Sequence, residues 1–187
     1  MANYSTNEFR SGLKVMLDGE PCSILDNEFV KPGKGQAFNR VRLRNLKTGN
    51  VLEKTFNAGI RVEQAMLEKK DMQFLYRDGD DYVFMDTESY DQINVAPVAL
   101  GDAADYIIES MIAIIATHNN DIVSVEIPAS VELLIANTEP GIQGDRVSGA
   151  RKPAELQTGK TIQVPLFVNI GDKVKVDTRS GEYLTRV

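Results

Sequence analysis

Over most of the chain hydrophobic and polar positions alternate with a period of two, the pattern of strands that bury one face and expose the other. The clearest stretch is Ala37–Asn45, where Val41 and Leu43 fall on one face and Arg40, Arg42 and Arg44 on the other. Around it, strands are predicted over Leu13–Leu17, Cys22–Asn27 with Phe29–Val30, and Val51–Phe56. The first third is therefore expected to be a curled sheet of about five strands. The middle third repeats the style over Met66–Arg77, Tyr82–Met85, Met111–Thr117 and Ile122–Glu126. The last third does so over Val131–Thr138, Thr161–Pro165, Lys173–Asp177 and Tyr183–Arg186, with a long loop predicted over Glu139–Pro153. A single short helix is predicted over Ala99–Tyr106, with Asp102 as its N-cap.

Turn residues punctuate these runs. Asp18-Gly19 suits a two-residue hairpin because both residues tolerate positive φ. Further turns are signalled by Pro32-Gly33 with Gly35, Thr48-Gly49-Asn50, Asp78-Gly79-Asp80-Asp81 and His118-Asn119-Asn120-Asp121. Thr158-Gly159, Ile170-Gly171-Asp172 and Ser180-Gly181 mark the rest. Short strands, frequent turns and little helix predict an all-β chain. Closure into barrels removes exposed sheet edges, which matters when each third can bury only a modest core. Three small barrels are expected, over residues 1–64, 65–126 and 127–187. No low-complexity linker separates them, so they are expected to abut as a stiff rod or elbow.

Composition narrows the classes. At 42% hydrophobic and 26% charged the chain is globular rather than disordered. The apolar run Met111–Ala116 is far too short for a membrane span, and the polar start Met1–Arg10 does not read as a secretory leader. Cys22 is the only cysteine and His118 the only histidine, which excludes an internal disulfide and a Cys/His zinc site. A cytoplasmic protein working without metal or cofactor is expected. The net charge of −6 is unevenly spread. Residues 1–64 carry ten basic and seven acidic side chains, a net +3; residues 65–126 stand at −10 and residues 127–187 at +1. The acidity is thus confined to the middle, and a polyanion could meet the two ends.

Several chemical motifs fail on inspection. Gly159-Lys160-Thr161 resembles the end of a phosphate-binding loop, but Ala154 stands where its first glycine is needed. Gly144 and Gly149 have that loop's spacing, yet Ala150 and Arg151 replace the Lys and Ser/Thr. That segment instead offers Arg146, Arg151 and Lys152 for phosphate or base contact. Asp78, Asp80 and Asp81 lack the distal ligands of a calcium loop. His118 has no nucleophile pattern beside it, and Cys22 reads as a core residue. No constellation for an enzyme is present.

The most informative segment is Lys31-Pro32-Gly33-Lys34-Gly35-Gln36. Lys34 stands at a hairpin tip between two glycines, neither of which has a side chain to shield it. The ammonium is expected to project on a flexible stem, either as a probe of a narrow anionic site or as a target of covalent modification.

These residues carry a resemblance. Glu28–Phe38 is similar to the tip region of the bacterial elongation factor P family, and Val176–Leu184 to the C-terminal end of that family. Pro165-Leu166-Phe167-Val168 and Lys152-Pro153-Ala154 also match. The resemblance implies an SH3-like (KOW-type) first barrel and two oligonucleotide-binding-fold (OB) barrels, arranged as an L that imitates tRNA. It implies a factor that binds the ribosome between the peptidyl-tRNA and exit sites, contacts ribosomal RNA, and relieves stalling at consecutive prolines. Lys34 matches the residue extended after translation, by a β-lysyl group in members with this context, through a lysyl-tRNA-synthetase-like enzyme. Lys31, Pro32, Gly33, Gly35 and Gln36 form the tip around it. Gly144, Asp145, Arg146, Arg151 and Lys152 match the loop that approaches the exit-site mRNA codon, and Tyr183 and Arg186 match residues near the anticodon side. Arg146, Val147 and Arg151 interrupt a stretch that the family keeps glycine-rich. A monomer is expected. The alternatives are the family's paralogue, with a different partner range, and a generic single-stranded RNA-binding module. The latter calls for stacking aromatics, whereas Trp is absent and aromatics are only 7%.

Overall fold

A computed structural model describes residues 2–141 and 149–187 of the chain. It divides into two compact units. The first comprises Met1–Lys70, Val95–Ala99 and Ile115–Val125; the second comprises Asp71–Asn94, Leu100–Ile114 and Glu126–Val187.

The first unit opens with β1 (Asn3–Ser5), a 3-10 turn (Thr6–Glu8), β2 (Lys14–Leu17), β3 (Glu20–Val30), β4 (Phe38–Asn45), β5 (Val51–Asn57) and β6 (Arg61–Glu63). Strands β2 to β5 form an antiparallel sheet in chain order, and β1 pairs with β6. The predicted Asp18-Gly19 hairpin is present, with φ of 52° and 83°. The alternation in β4 holds residue by residue. Val41 and Leu43 are fully buried among Phe9, Val15, Ile24, Phe56 and Val62, while the three arginines are exposed. Instead of one sheet there are two, because β1 and β6 are each three residues long and too short to show a period. Their partners also lie far apart in sequence.

The next strands are β7 (Glu68–Asp78), β8 (Asp81–Asp86), β9 (Gln92–Val95), β10 (Ile112–His118) and β11 (Asp121–Glu126), in the sheet order β11-β10-β7-β8-β9. The hairpin at Asn119-Asn120 forms as predicted, with φ of 50° and 68°. The predicted helix differs. A single turn, α1 (Pro97–Leu100), runs into a 3-10 turn at Gly101–Asp105 whose N-cap is Leu100, without a side-chain cap. Asp102 therefore lies inside the turn. The proline starts the helix with its preset φ, leaving an Asp cap nothing to do.

The second unit contains β12 (Ser130–Thr138), β13 (Arg151–Leu156), β14 (Thr161–Pro165), β15 (Lys173–Asp177) and β16 (Tyr183–Arg186), ordered β14-β13-β12-β15-β16. Its core holds Val131, Leu133, Ile135, Leu156, Val164, Val174 and Val176, together with Tyr106. The Tyr106 ring fills this core so closely that a Cβ at Gly181 would lie 2.9 Å from its hydroxyl. Beside it, Lys160 Nζ donates to Asp105 Oδ2 at 2.7 Å and Thr158 Oγ1 donates to the Asp105 carbonyl at 2.6 Å. The Asp105 carboxylate lifts the Lys160 ammonium above the usual lysine range. Arg151, Lys152 and Pro153, expected in a loop, begin β13. A lysine at an inward position had concealed the alternation Lys152-Ala154-Leu156. Among the described residues no helix is long and apolar enough to cross a membrane.

Candidate functional site

Strands β3 and β4 pair as far as Val30 and Phe38, and residues 31–37 bridge them. At the base of this tip Ala58 N donates to Ala37 O at 2.9 Å. Lys31 and the run Gly33, Lys34, Gly35, Gln36 are exposed, while Pro32 is half-buried. Gly35 has φ of 117°, a left-handed value that a side chain would strain. A Cβ at Gly33 would meet nothing within 4 Å. Lys34 is exposed, and among the described residues it has no hydrogen-bond or ion-pair partner. The local sequence thus sets an unshielded cation between two residues that cannot cover it.

The arginines share the outward face of β4, but cross-strand register brings carboxylates beside them. Arg40 meets Glu28 at 3.4 Å and Glu53 at 3.5 Å. Arg42 lies opposite Asp26 on β3 and Glu53 on β5. Arg44 lies opposite Ser23 and Val51, with no carboxylate in its row. The basic stripe is therefore graded rather than uniform. Reading β4 by itself missed this, because the β3–β4 register shifts between Ile24 and Asp26. Exposed pairs of this kind are worth only about 0–1 kcal/mol, so a phosphate can displace them.

The remaining expected contacts belong to the second unit. Arg151 is exposed on β13. Lys152 is only 6% exposed, and its ammonium donates to the Glu139 carbonyl at 2.6 Å. That corrects the expectation of a phosphate-contacting lysine: its charge is already used to satisfy backbone. Gly144, Asp145 and Arg146 lie outside the described residues. Tyr183 is half-buried against the core, whereas Arg186 is exposed, 3.6 Å from Asp172 and 5.3 Å from the centre of the Phe167 ring.

One carboxylate caps the β15–β16 turn, beside the backbone bonds from Gly181 N–H to the Asp177 carbonyl and from Asp177 N–H to the Glu182 carbonyl. Asp177 Oδ1 accepts from the Arg179 N–H at 2.8 Å and the Ser180 N–H at 2.9 Å. Hydrogen bonds from the Ser180 and Arg179 backbone hold the Asp177 carboxyl below its ordinary range. A carboxylate whose folded pKa is lowered stabilises the fold above its unfolded pKa, about 3.9, and loses that contribution as pH falls through the folded value. Amide exchange at Arg179 and Ser180, followed by NMR, should accelerate in excess of the intrinsic pH trend only below about pH 4. A flat corrected profile there would show the turn to be independent of this charge.

Three descriptions in sequence order match the chain: elongation factor P KOW-like domain over residues 5–62, elongation factor P OB domain over 67–125, and elongation factor P C-terminal over 131–186. The elongation factor P of Saccharopolyspora erythraea is 54% identical over 183 residues, covering 98% of this chain and 97% of that protein. That of Acidothermus cellulolyticus is 52% identical over 182 residues, covering 97% of each. The chain belongs to the elongation factor P family. It is a translation elongation factor, as the tip and C-terminal segments implied. The all-β reading holds as well, with a KOW-like N-terminal domain followed by OB architecture. A solved structure, eukaryotic translation initiation factor 5A from Methanococcus jannaschii, superposes with a TM-score of 0.51 at 24% identity. It covers 66% of this chain and 95% of its own, and at that identity it attests the fold alone.

Proposed function

We propose that this elongation factor binds the ribosome between the peptidyl-tRNA and exit sites and restores peptide-bond formation at consecutive prolines, with Lys34 as the group that reaches the reacting centre. The observation that carries this reading is Lys34, exposed between Gly33 and Gly35 and without a hydrogen-bond or ion-pair partner among the described residues. Peptide-bond formation depends on alignment, and misplacement by about 1 Å can cost on the order of a hundredfold in rate. Proline fixes φ and constrains the nascent chain, so it aligns poorly. A factor that contributes binding energy to hold the peptidyl-tRNA acceptor end corrects this without supplying an acid, a base or a nucleophile.

In this reading the domains end near residues 64 and 126, and the monomer acts in the cytoplasm. The arginine face holds the tRNA backbone, and Arg151, Tyr183 and Arg186 serve the codon and anticodon side. Lys34 is the site of a β-lysyl extension added by a lysyl-tRNA-synthetase-like enzyme. The extension lengthens the reach and adds a further donor in an RNA-walled cleft. Intact-mass and peptide mass spectrometry of the native protein tests this step. An adduct on the peptide carrying Lys34 is expected; an unmodified native protein would remove the extension from the mechanism.

The grading of the basic face gives a second test. Removing one cation from a phosphate lowers the slope of log affinity against log salt by about 0.7–0.9. Arg44→Glu should weaken ribosome binding and flatten that slope by about one such step, more than Arg40→Glu, whose guanidinium already shares Glu28 and Glu53. An unchanged slope for Arg44→Glu would mean that this face does not meet phosphate.

A further inference from the structure

The aim of the tip is not set by the tip. Hairpin register ordinarily follows from turn type, but here residues 31–37 form no tight turn between β3 and β4. The alternation of Val41 and Leu43 forbids a slip of one residue, which would expose the core, but a slip of two returns every side chain to its own face. The β3–β4 ladder contains an irregularity between Ile24 and Asp26, which pins the register at the far end of the hairpin, and the pairs from Asp26–Arg42 to Val30–Phe38 run from there to the tip. A contact along that stretch adds to the selection of one alignment.

On the inward face of these strands, beyond Val41, two amides stand in the way of further apolar packing. Asn39 is 2% exposed, and its Nδ2 donates to Asn27 Oδ1 at 2.9 Å. Asn27 Nδ2 in turn donates to the Phe9 carbonyl at 3.1 Å. Asn27 faces Val41 and Asn39 faces Phe29 across the ladder, so the two amides meet on the diagonal. Their anchor is firm. The Phe9 ring packs edge-on against Phe56 at 5.6 Å, and Thr6, fully buried, accepts from the Gly59 N–H at 2.9 Å. Among the described residues Asn39 Oδ1 is buried without a hydrogen-bond partner, an arrangement that costs stability. A slip of two residues that sets Asn27 against Leu43 would draw the amides about 6–7 Å further apart and leave the buried Asn39 amide without its partner, whereas the opposite slip would set the two amides face to face.

We infer that Asn27 and Asn39 are positioning residues: their amide pair, Asn39 buried and Asn27 half-buried, opposes the slip of the β3–β4 hairpin that sets Asn27 against Leu43 and thereby helps set where Lys34 is presented. The inference rests on the reading of Lys34 as the working group. A single buried polar contact that fixes register at the expense of stability is a known device in coiled coils, and the same physics applies between strands.

The test uses full-length factor with the modification state of Lys34 matched by intact mass, in reconstituted proline–proline synthesis. Asn39→Leu keeps the side-chain shape and strands Asn27, so the melting temperature should fall. Asn27→Leu/Asn39→Leu removes both amides but leaves the Phe9 carbonyl without its Asn27 donor, so the melting temperature should recover only in part. In both variants the saturating rate should drop about tenfold while the factor concentration for half-saturation stays within about twofold, since a misaimed tip spoils alignment and not docking. Cross-strand amide contacts in NMR should show a second register between β3 and β4. A doubly substituted protein with the parent's saturating rate and a single register would overturn the inference. Should the Leu variants fail to fold, Asn39→Ala removes the same donor and carries the same two expectations. Lys34→Ala is run alongside: if it keeps the parent's rate, the working-group reading itself fails, whatever the asparagine variants do.

Discussion

Lys34→Ala will leave the fold untouched and reduce proline–proline synthesis to the level seen without the factor. Lys34 is exposed and makes no hydrogen bond or ion pair among the described residues, so the folded state gives up no polar interaction with its side chain. Exposed substitutions of this kind change stability by about 0.5 kcal/mol or less, which for a chain of this size is a melting shift of about 2 °C at most. Ribosome association should persist, because the arginine face is intact. The rate should nevertheless collapse, because the only group proposed to reach the acceptor end is gone. The measurements are a thermal melt, a ribosome-binding isotherm and single-turnover kinetics on a proline-stalled complex. Full stimulation by the alanine variant would exclude the tip from the mechanism, and failure to bind would show it to be a docking element instead.

Leu43→Ala will have the opposite profile. Leu43 is fully buried in β4, between Ile24 on β3 and Leu52 on β5. Truncating such a side chain removes its transfer free energy and leaves a cavity, at about 2–5 kcal/mol. Against a total of about 5–15 kcal/mol that is a large fraction. For a domain of this size it corresponds to a melting shift of about 10 °C or more. Stimulation should fall in proportion to the unfolded fraction and return on cooling. Circular dichroism melts compared with activity at two temperatures would check this. A shift below about 2 °C would mean that this core relaxes around the hole far better than such sites usually do.

The contrast between these two residues explains what could be read from the sequence. In β4 an exposed arginine follows each buried aliphatic residue, so the strand and its faces were visible without any partner. Hairpins announced by Asp18-Gly19 and Asn119-Asn120 were visible for a local reason, since few other residues accept positive φ. Lys34 was visible because glycine leaves nothing to hide it. What escaped depended on distant partners. The β1–β6 pair is too short to carry a pattern, and the start of β13 was masked by Lys152, a cation buried because a carbonyl awaits it. The carboxylates that grade the arginine face, and the amide pair beneath the tip, follow from a register that no single strand encodes. Of the codon-side segment, Gly144, Asp145 and Arg146 lie outside the described residues.

The Tyr106 ring carries a lesson for engineering. It is 4% exposed in a cluster whose other buried members all come from Val131 onward, with the partly buried Ile108, Met111 and Ile127 packed against it. A cassette cut at residue 127 and transplanted into a chimera would arrive with an unfilled socket and would collapse around it or bind whatever aromatic the new host offers. A Cβ at Gly181 would lie only 2.9 Å from the Tyr106 hydroxyl, so the two positions must travel together. The natural unit of exchange is the last sheet together with Tyr106 and the Ile108, Met111 and Ile127 side chains that pack on its core, not the sheet alone.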